Sequence, residues 1–247
     1  RGLGDVYKRQ VSWLMSEGHL SPYRMFCPDI PDMKGVRKQM GDFAKGETAE
    51  KMDKPKLTGN IIAHWEKYAK GMKTVGFAVN VAHSLHLTRA FNDAGYRFAH
   101  LDGGTDKAER KRIIQEYARG DLDGIFNVAL FGEGFDLSAI AQTDVTIDAV
   151  ISANPSQSLS RVMQEWGRGL RPSKGKTAII LDHAGNAMRH GFPDDERNWS
   201  LEGDKSGNKS SSSDGPPPPV ICKGCFNAIR SCLLYTSPSP RDGLLSR

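Results

Sequence analysis

The sequence predicts an α/β fold in three layers, with a mostly parallel sheet between helices. Short apolar runs alternate with amphipathic segments between Lys73 and Asp182, the pattern of strands joined by covering helices. The segments between the runs are long enough for the crossovers that parallel strands require. Right-handed crossovers then line the C-terminal strand ends along one rim, where the loops 80–84, 102–105, 131–136 and 152–154 fall.

In order along the chain, residues 56–72 read as a helix, with Ile61, Ile62, Trp65 and Tyr68 at helical spacing as packing residues. Residues 75–79 (VGFAV) are a buried strand candidate, and the following helix over 84–94 stops at Gly95. The next strand is 98–101. Thr105 is expected to cap a charged helix over 106–119, with Ile113, Ile114 and Tyr117 inward and Gly120 ending it. Strands follow at 124–130 and 146–151. Asn154, Pro155 and Gln157 suit the N-cap, first turn and third position of a helix over 156–166, and the strand at 177–181 closes the series. These elements make one domain over 57–203. Upstream, 11–56 is polar, weakly periodic and interrupted by Pro22, Pro28, Pro31 and Pro55, and reads as a connecting arm. Downstream, 204–219 is a Ser/Gly/Pro linker, followed by a cysteine-bearing segment at 220–231.

The two ends share one origin. DNA that encodes residues 1–10 has a reverse complement that, read one base out of frame, encodes 232–240 and then Arg241. It resembles a transposon-type sequencing adapter, so 1–10 and 232–247 are expected to be artefact and to stand outside the fold. The tails carry Arg1, Lys8, Arg9, Arg241 and Arg247 against Asp5 and Asp242, more than half of the net charge of +5. Overall charge is therefore no argument for nucleic acid, and a binding surface must be found in local motifs. No apolar run between Val11 and Ser231 approaches the roughly 20 residues of a membrane-spanning helix. Cys27 is isolated and no disulfide framework is apparent, which fits a reducing cytoplasm.

Two segments carry chemistry. Phe131-Gly132-Glu133-Gly134-Phe135-Asp136 follows a strand, so its amides can turn toward a ligand and its carboxylate can accept from hydroxyls. Gln164, Gly167, Arg168, Gly169 and Arg171 then place two guanidiniums near a helix end; the planar fork suits phosphate oxygens and stays charged. His83 with Ser84, and Gly103 with Gly104 and Thr105, stand at helix starts whose amides can hold backbone phosphates. The stretch GLRPSKGKT at 169–177 mimics a phosphate loop, but has one residue too many between its glycines and leads into a strand.

At these residues the chain resembles the second RecA-like domain of superfamily 2 helicases of the DEAD/DEAH-box and type III restriction-subunit kind. FAVNVAHS (77–84) is similar to motif IV, HLDGGTDKAER (100–110) to the segment after it, NVALFGEGFDL (127–137) to motif V and QEWGRGLRP (164–172) to motif VI. LDHAGNAMRHGFP (181–193) resembles the run after motif VI in the bacterial and phage branch. The resemblance implies a RecA-like three-layer sandwich, with 11–56 leading from a first motor domain absent from this chain. It implies that Arg168 and Arg171 act as fingers on the γ-phosphate of ATP, with Mg2+, bound mainly by that first domain, and that Gln164 orients water. Gly132, Gly134, Asp136 and Gly167 would meet the nucleotide; His83, Ser84, Gly103, Gly104 and Thr105 would meet a DNA or RNA backbone. Glu165, a departure from commoner forms, is expected to face solvent or an arginine. Cys222 and Cys225 resemble half of a zinc ribbon and would hold Zn2+ only with a further cysteine pair.

The implied function is an ATP-dependent helicase or translocase, acting on DNA more readily than RNA, in the cytoplasm of a bacterial or phage-infected cell; this fragment alone is expected to be inactive. A non-hydrolysing clamp of the same fold stays open. A nucleotide-sugar or dinucleotide enzyme would need a glycine-rich fingerprint after its first strand, which VGFAVNVAHS lacks.

Overall fold

The computed structural model describes residues 10–130, 136–197 and 217–231. The chain runs α1 (Val11–Ser16), β1 (Tyr23–Phe26), β2 (Lys38–Gln39), β3 (Asp42–Phe43), α2 (Lys45–Met52), α3 (Pro55–Tyr68), β4 (Thr74–Phe77) and α4 (Val81–Asp93). It continues through β5 (Phe98–Leu101), α5 (Lys107–Arg119), β6 (Gly124–Asn127), α6 (Leu137–Ala141), β7 (Ala149–Ser152) and α7 (Leu159–Leu170). The last elements are β8 (Ala178–Asp182), α8 (Asn186–His190), β9 (Val220–Ile221) and β10 (Ala228–Ile229).

Six strands form one sheet in the order β1-β8-β7-β4-β6-β5, and every pairing is parallel. Alternation along each strand sends neighbours to opposite faces. Val75, Ile125, Val150 and Ile180 meet Ile113, Ile114, Tyr117, Val162 and Trp166 on one side. Phe126, Ile151 and Leu181 meet Trp65, Leu87 and Phe91 on the other. The strands are therefore buried on both faces, which is why they read as short apolar runs rather than as alternating patterns. Gly76 and Gly124 have steric reasons to be glycine. A Cβ on them would stand 2.2 Å from the rings of Phe126 and Phe98, which lie over the sheet there.

All five expected strands are present, but the segment 11–56 is more than an arm. It contributes β1, which pairs with β8 in the register Tyr23↔Ala178 to Phe26↔Leu181 and extends the sheet. A four-residue strand between Pro22 and Pro28 is too short to show a period, so only pairing reveals it. The same segment forms the β2–β3 hairpin, whose Asp42 accepts from Ser156 Oγ at 2.8 Å and from the Gln157 amide at 2.7 Å.

The residues after the linker also return to this sheet. β9 and β10 form a small antiparallel hairpin, Asn227 bridges to Phe26, and Tyr68 donates to the Cys225 carbonyl at 2.7 Å. Arg230 pairs with Asp194 and Asp195. Residues 1–9, 204–216 and 232–247, expected as tail, linker and tail, lie outside the described residues. No described helix is long and apolar enough to cross a membrane.

Two expected caps are replaced by neighbours. α5 is capped by Asp106, which accepts from the Ala108 amide, while Thr105 turns back to Asp102. α7 begins later than expected, capped by Ser158 accepting from the Arg161 amide, because Asp42 takes the Gln157 amide outside the helix.

Candidate functional site

The crossover after β4 carries α4 over one face, whereas α7 follows β7 over the other. Adjacent strands whose connections diverge leave a crevice at their C-terminal ends. Here it is a cavity of about 320 Å³ between Phe77–Val79, Val128 and Ala129, Asn154, and the α7 residues Ser158, Arg161, Gln164 and Glu165. Lys45 of α2 closes one side. Ala129 stands in the left-handed region, φ 53°, where the chain bends out of β6 toward the rim.

α7 holds the two arginines. Its Trp166 donates from Nε1 to Ser152 Oγ at 3.0 Å, anchoring the helix on β7. Gly167 and Gly169 lie within the helix, not in a turn past it as the motif suggested. Gly169 is needed for packing, since a Cβ there would stand 2.8 Å from Val150 Cγ2; at Gly167 the same atom would meet nothing within 4 Å. Arg168 occupies the last turn and Arg171 is the C-cap.

The arginines meet the expected carboxylate. Arg171 Nη1 stands 3.9 Å from Asp136 Oδ1, both side chains about half exposed. Partial burial, and then the like charge of Arg171, hold the Arg168 guanidinium below its ordinary pKa, with Asp136 opposing. Arg168, Arg171 and Asp136 are thus one electrostatic group at the C-terminal end of α7, where the Arg171 carbonyl accepts from Ser21 Oγ just before β1. Asp136 also caps α6, accepting from the amides of Ser138 at 3.0 Å and Ala139 at 3.4 Å. Gln164 is exposed on the same helix, beside the cavity. Gly132 and Gly134 lie outside the described residues.

Glu165 overturns its expectation. It is buried rather than solvent-facing, contacts Asn154 Nδ2 at 3.5 Å through one oxygen, and leaves Oε2 with no partner. Burial pushes its carboxyl up to about 8, and the more distant Arg161 only partly offsets this. The acid is therefore neutral at pH 7.

The proposed strand contacts are not brought together as expected. His83 and Ser84 are fully buried. Their amides are already taken, by the Asn80 side chain at 2.8 Å and the Asn80 carbonyl at 3.0 Å. Ser84 Oγ lies 2.7 Å from His100 Nδ1, and burial holds His83 down at about 4. Gly103 and Gly104 are exposed. The Gly104 and Thr105 amides bond Asp102 Oδ1 at 2.9 and 2.8 Å, so a carboxylate of the chain already occupies them. Burial raises the Asp102 pKa, but bonds from Thr105 and the charge of His100 outweigh it and keep the acid ionised.

Cys222 and Cys225 flank the turn of the β9–β10 hairpin, where Phe226 adopts φ 58°. Sequence reasoning missed Lys45, Asn154 and Arg161, none of which belongs to a motif segment. It also missed Asp42, whose carboxylate ties 11–56 to α7 through Arg161 at 3.1 Å.

Residues 53–173 match the helicase conserved C-terminal domain. Through that segment the chain is similar to helicases in their conserved C-terminal domain. Over 203 residues it is 30% identical to a 51.5 kDa protein of a Lactococcus phage, covering 80% of this chain and 43% of that one. Over 185 residues it is 29% identical to IRC3 of Saccharomyces cerevisiae, named as an ATP-dependent helicase, covering 73% of this chain and 26% of that one. The solved structure of the E. coli DEAD-box protein SrmB aligns with 70% of this chain and 84% of its own, at 15% identity and a TM-score of 0.47. The chain thus spans less than half the length of these two curated relatives.

Proposed function

We propose that this chain is the second motor domain of an ATP-dependent helicase or translocase acting on DNA, completing an ATP site whose principal cradle belongs to a first motor domain. The grouping of Arg168, Arg171 and Asp136 at the C-terminal end of α7 carries the reading. In it the two guanidiniums face the γ-phosphate across the interdomain cleft and stabilise charge developing on the transferred phosphoryl group. Gln164 orients the attacking water. Asp136, with Gly132 and Gly134 of the preceding loop and Gly167 of α7, senses the nucleotide and couples it to the bound strand. The exposed Arg171–Asp136 contact is worth little in water, so a triphosphate can replace it at small cost. Mg2+ accompanies the triphosphate and is held by the first domain.

Strand contact in this reading falls to the exposed Gly103, since Asp102 holds the Gly104 and Thr105 amides. Buried His83 and Ser84 serve it only by fixing the start of α4. Cys222 and Cys225 supply two thiols at a hairpin turn, which fits half of a zinc ribbon in the intact protein.

Arg168→Ala or Arg171→Ala in the complete protein is expected to reduce ATP turnover by on the order of 10³- to 10⁵-fold. For Arg171→Ala the melting temperature should stay within about a degree or two, since a half-exposed arginine contributes little to folding. Turnover and thermal melting measured on the same preparations decide it. Equal loss of both, or no loss of turnover, overturns the reading. A complete protein that binds DNA but never hydrolyses ATP would be a clamp.

A further inference from the structure

We propose that His64 and His183, with Asp29 as the positioning residue that orients His183, bind a divalent cation of the zinc type at the C-terminal end of the β1–β8 edge. One ligand atom from each lies within 4.8 Å of the other two, the only such group of three or more His, Cys, Asp or Glu side chains among the described residues. The three come from distant parts of the chain. Asp29 lies just past β1, His64 is on α3, and His183 follows β8 directly. Packing of a helix on the sheet edge gathers them, so no sequence spacing could announce the site.

A second observation points to a ligand. The His183 side chain is wholly buried and its Nε2 has no hydrogen-bond partner. An orphaned buried polar atom is costly and calls for an explanation such as an ion. His183 Nδ1 lies 2.8 Å from Asp29 Oδ2, so the carboxylate takes the Nδ1 proton and leaves a lone pair on the orphaned Nε2.

His64 is set in the same way. Its Nδ1 lies 2.6 Å from the Asn60 carbonyl, which can only accept, so Nε2 again carries the lone pair. Asn60 also donates to the other Asp29 oxygen at 2.9 Å. Each imidazole therefore has one nitrogen tied to an oxygen and the other available, the arrangement in which outer hydrogen bonds orient metal-binding histidines. Two imidazoles beside a carboxylate suit zinc and its neighbours, whereas calcium and magnesium prefer oxygen alone. Phe226 of the C-terminal hairpin lies edge-on to His64, ring centroids 5.0 Å apart, and covers that side. Such an ion would staple the segment after β1, α3 and the end of β8 together.

The test uses the whole chain with Cys222→Ser and Cys225→Ser, so that any zinc-ribbon ligands are removed. Titration with zinc chloride alone, followed by calorimetry and by metal analysis after dialysis, should give about one ion per chain and a raised melting temperature. Adding His64→Ala, at a half-buried position, should weaken binding by roughly 100-fold or more and cancel the thermal shift, since even outer partners are worth 10- to 100-fold. Asp29→Asn, which preserves hydrogen-bonding shape while removing charge, should weaken it by at least about tenfold. No zinc in the chain with Cys222→Ser and Cys225→Ser, or unchanged affinity in His64→Ala or, should that variant not fold, in Asp29→Asn, overturns the site.

Discussion

Glu165 shows what a single side chain does to the pH dependence of this fold. Its carboxyl ordinarily titrates near 4.5 but near 8 here, because burial penalises the charged form. Between those values the folded state holds a proton that the unfolded state has lost, so stability falls as pH rises, by up to about 1.4 kcal/mol per unit. His83 has the opposite sign. Its ordinary value of 6.5 drops to about 4, so it contributes stability above pH 6.5 that is lost as pH falls toward 4. Glu165→Gln is expected to flatten the decline in melting temperature between pH 5 and 8 and to leave the acid limb in place; melts across that range check it. An unchanged alkaline slope would mean that Glu165 is ionised in the fold. Its burial was legible in part. Glu165 stands three residues after Val162 and four before Gly169, on the stripe that α7 buries. The neighbouring arginines drew attention to charge instead of to helical face.

At the scale of elements, α7 separates two glycines that the motif treats alike. Gly167→Ala places a methyl in open space within a helix and should stabilise the domain by about 0.5–1 kcal/mol. Gly169→Val pushes its side chain into Val150 and should destabilise by about 1–3 kcal/mol. Denaturant midpoints of the two variants test the pair, and a loss from Gly167→Ala would show that α7 is not continuous there. Strands and helices between Lys73 and Asp182 were readable because burial on both sheet faces writes itself as apolar runs. Caps were less so. Ser158 wins over Asn154 through a tertiary partner, Asp42, that a local pattern does not contain, whereas Thr105 loses to Asp106 because its hydroxyl turns back to the nearby Asp102. The same holds for the amides of His83, Ser84, Gly104 and Thr105, which the sequence offers as donors and the folded chain has already used.

Across the whole molecule, the structural unit begins well before residue 57. Phe26 is completely buried and stacks on Tyr68 with ring centroids 3.9 Å apart, while Met25 and Cys27 enter the cores. A chain cut to 57–197 would lose these side chains and leave β8 as a bare edge, prone to self-association. Losing one such phenylalanine costs about 3–5 kcal/mol against a total stability of about 5–15 kcal/mol. Compared with 11–231, the shorter piece should be largely insoluble or lack a cooperative melt; a sharp transition at the same temperature would restore the shorter boundary. The β1–β8 pairing also has a mechanical meaning. Because the two strands run side by side in the same direction over four residue pairs, tension along β1 loads all of their cross-links at once instead of peeling them one by one. In a motor whose halves pull on each other, that edge would be a grip that resists slipping.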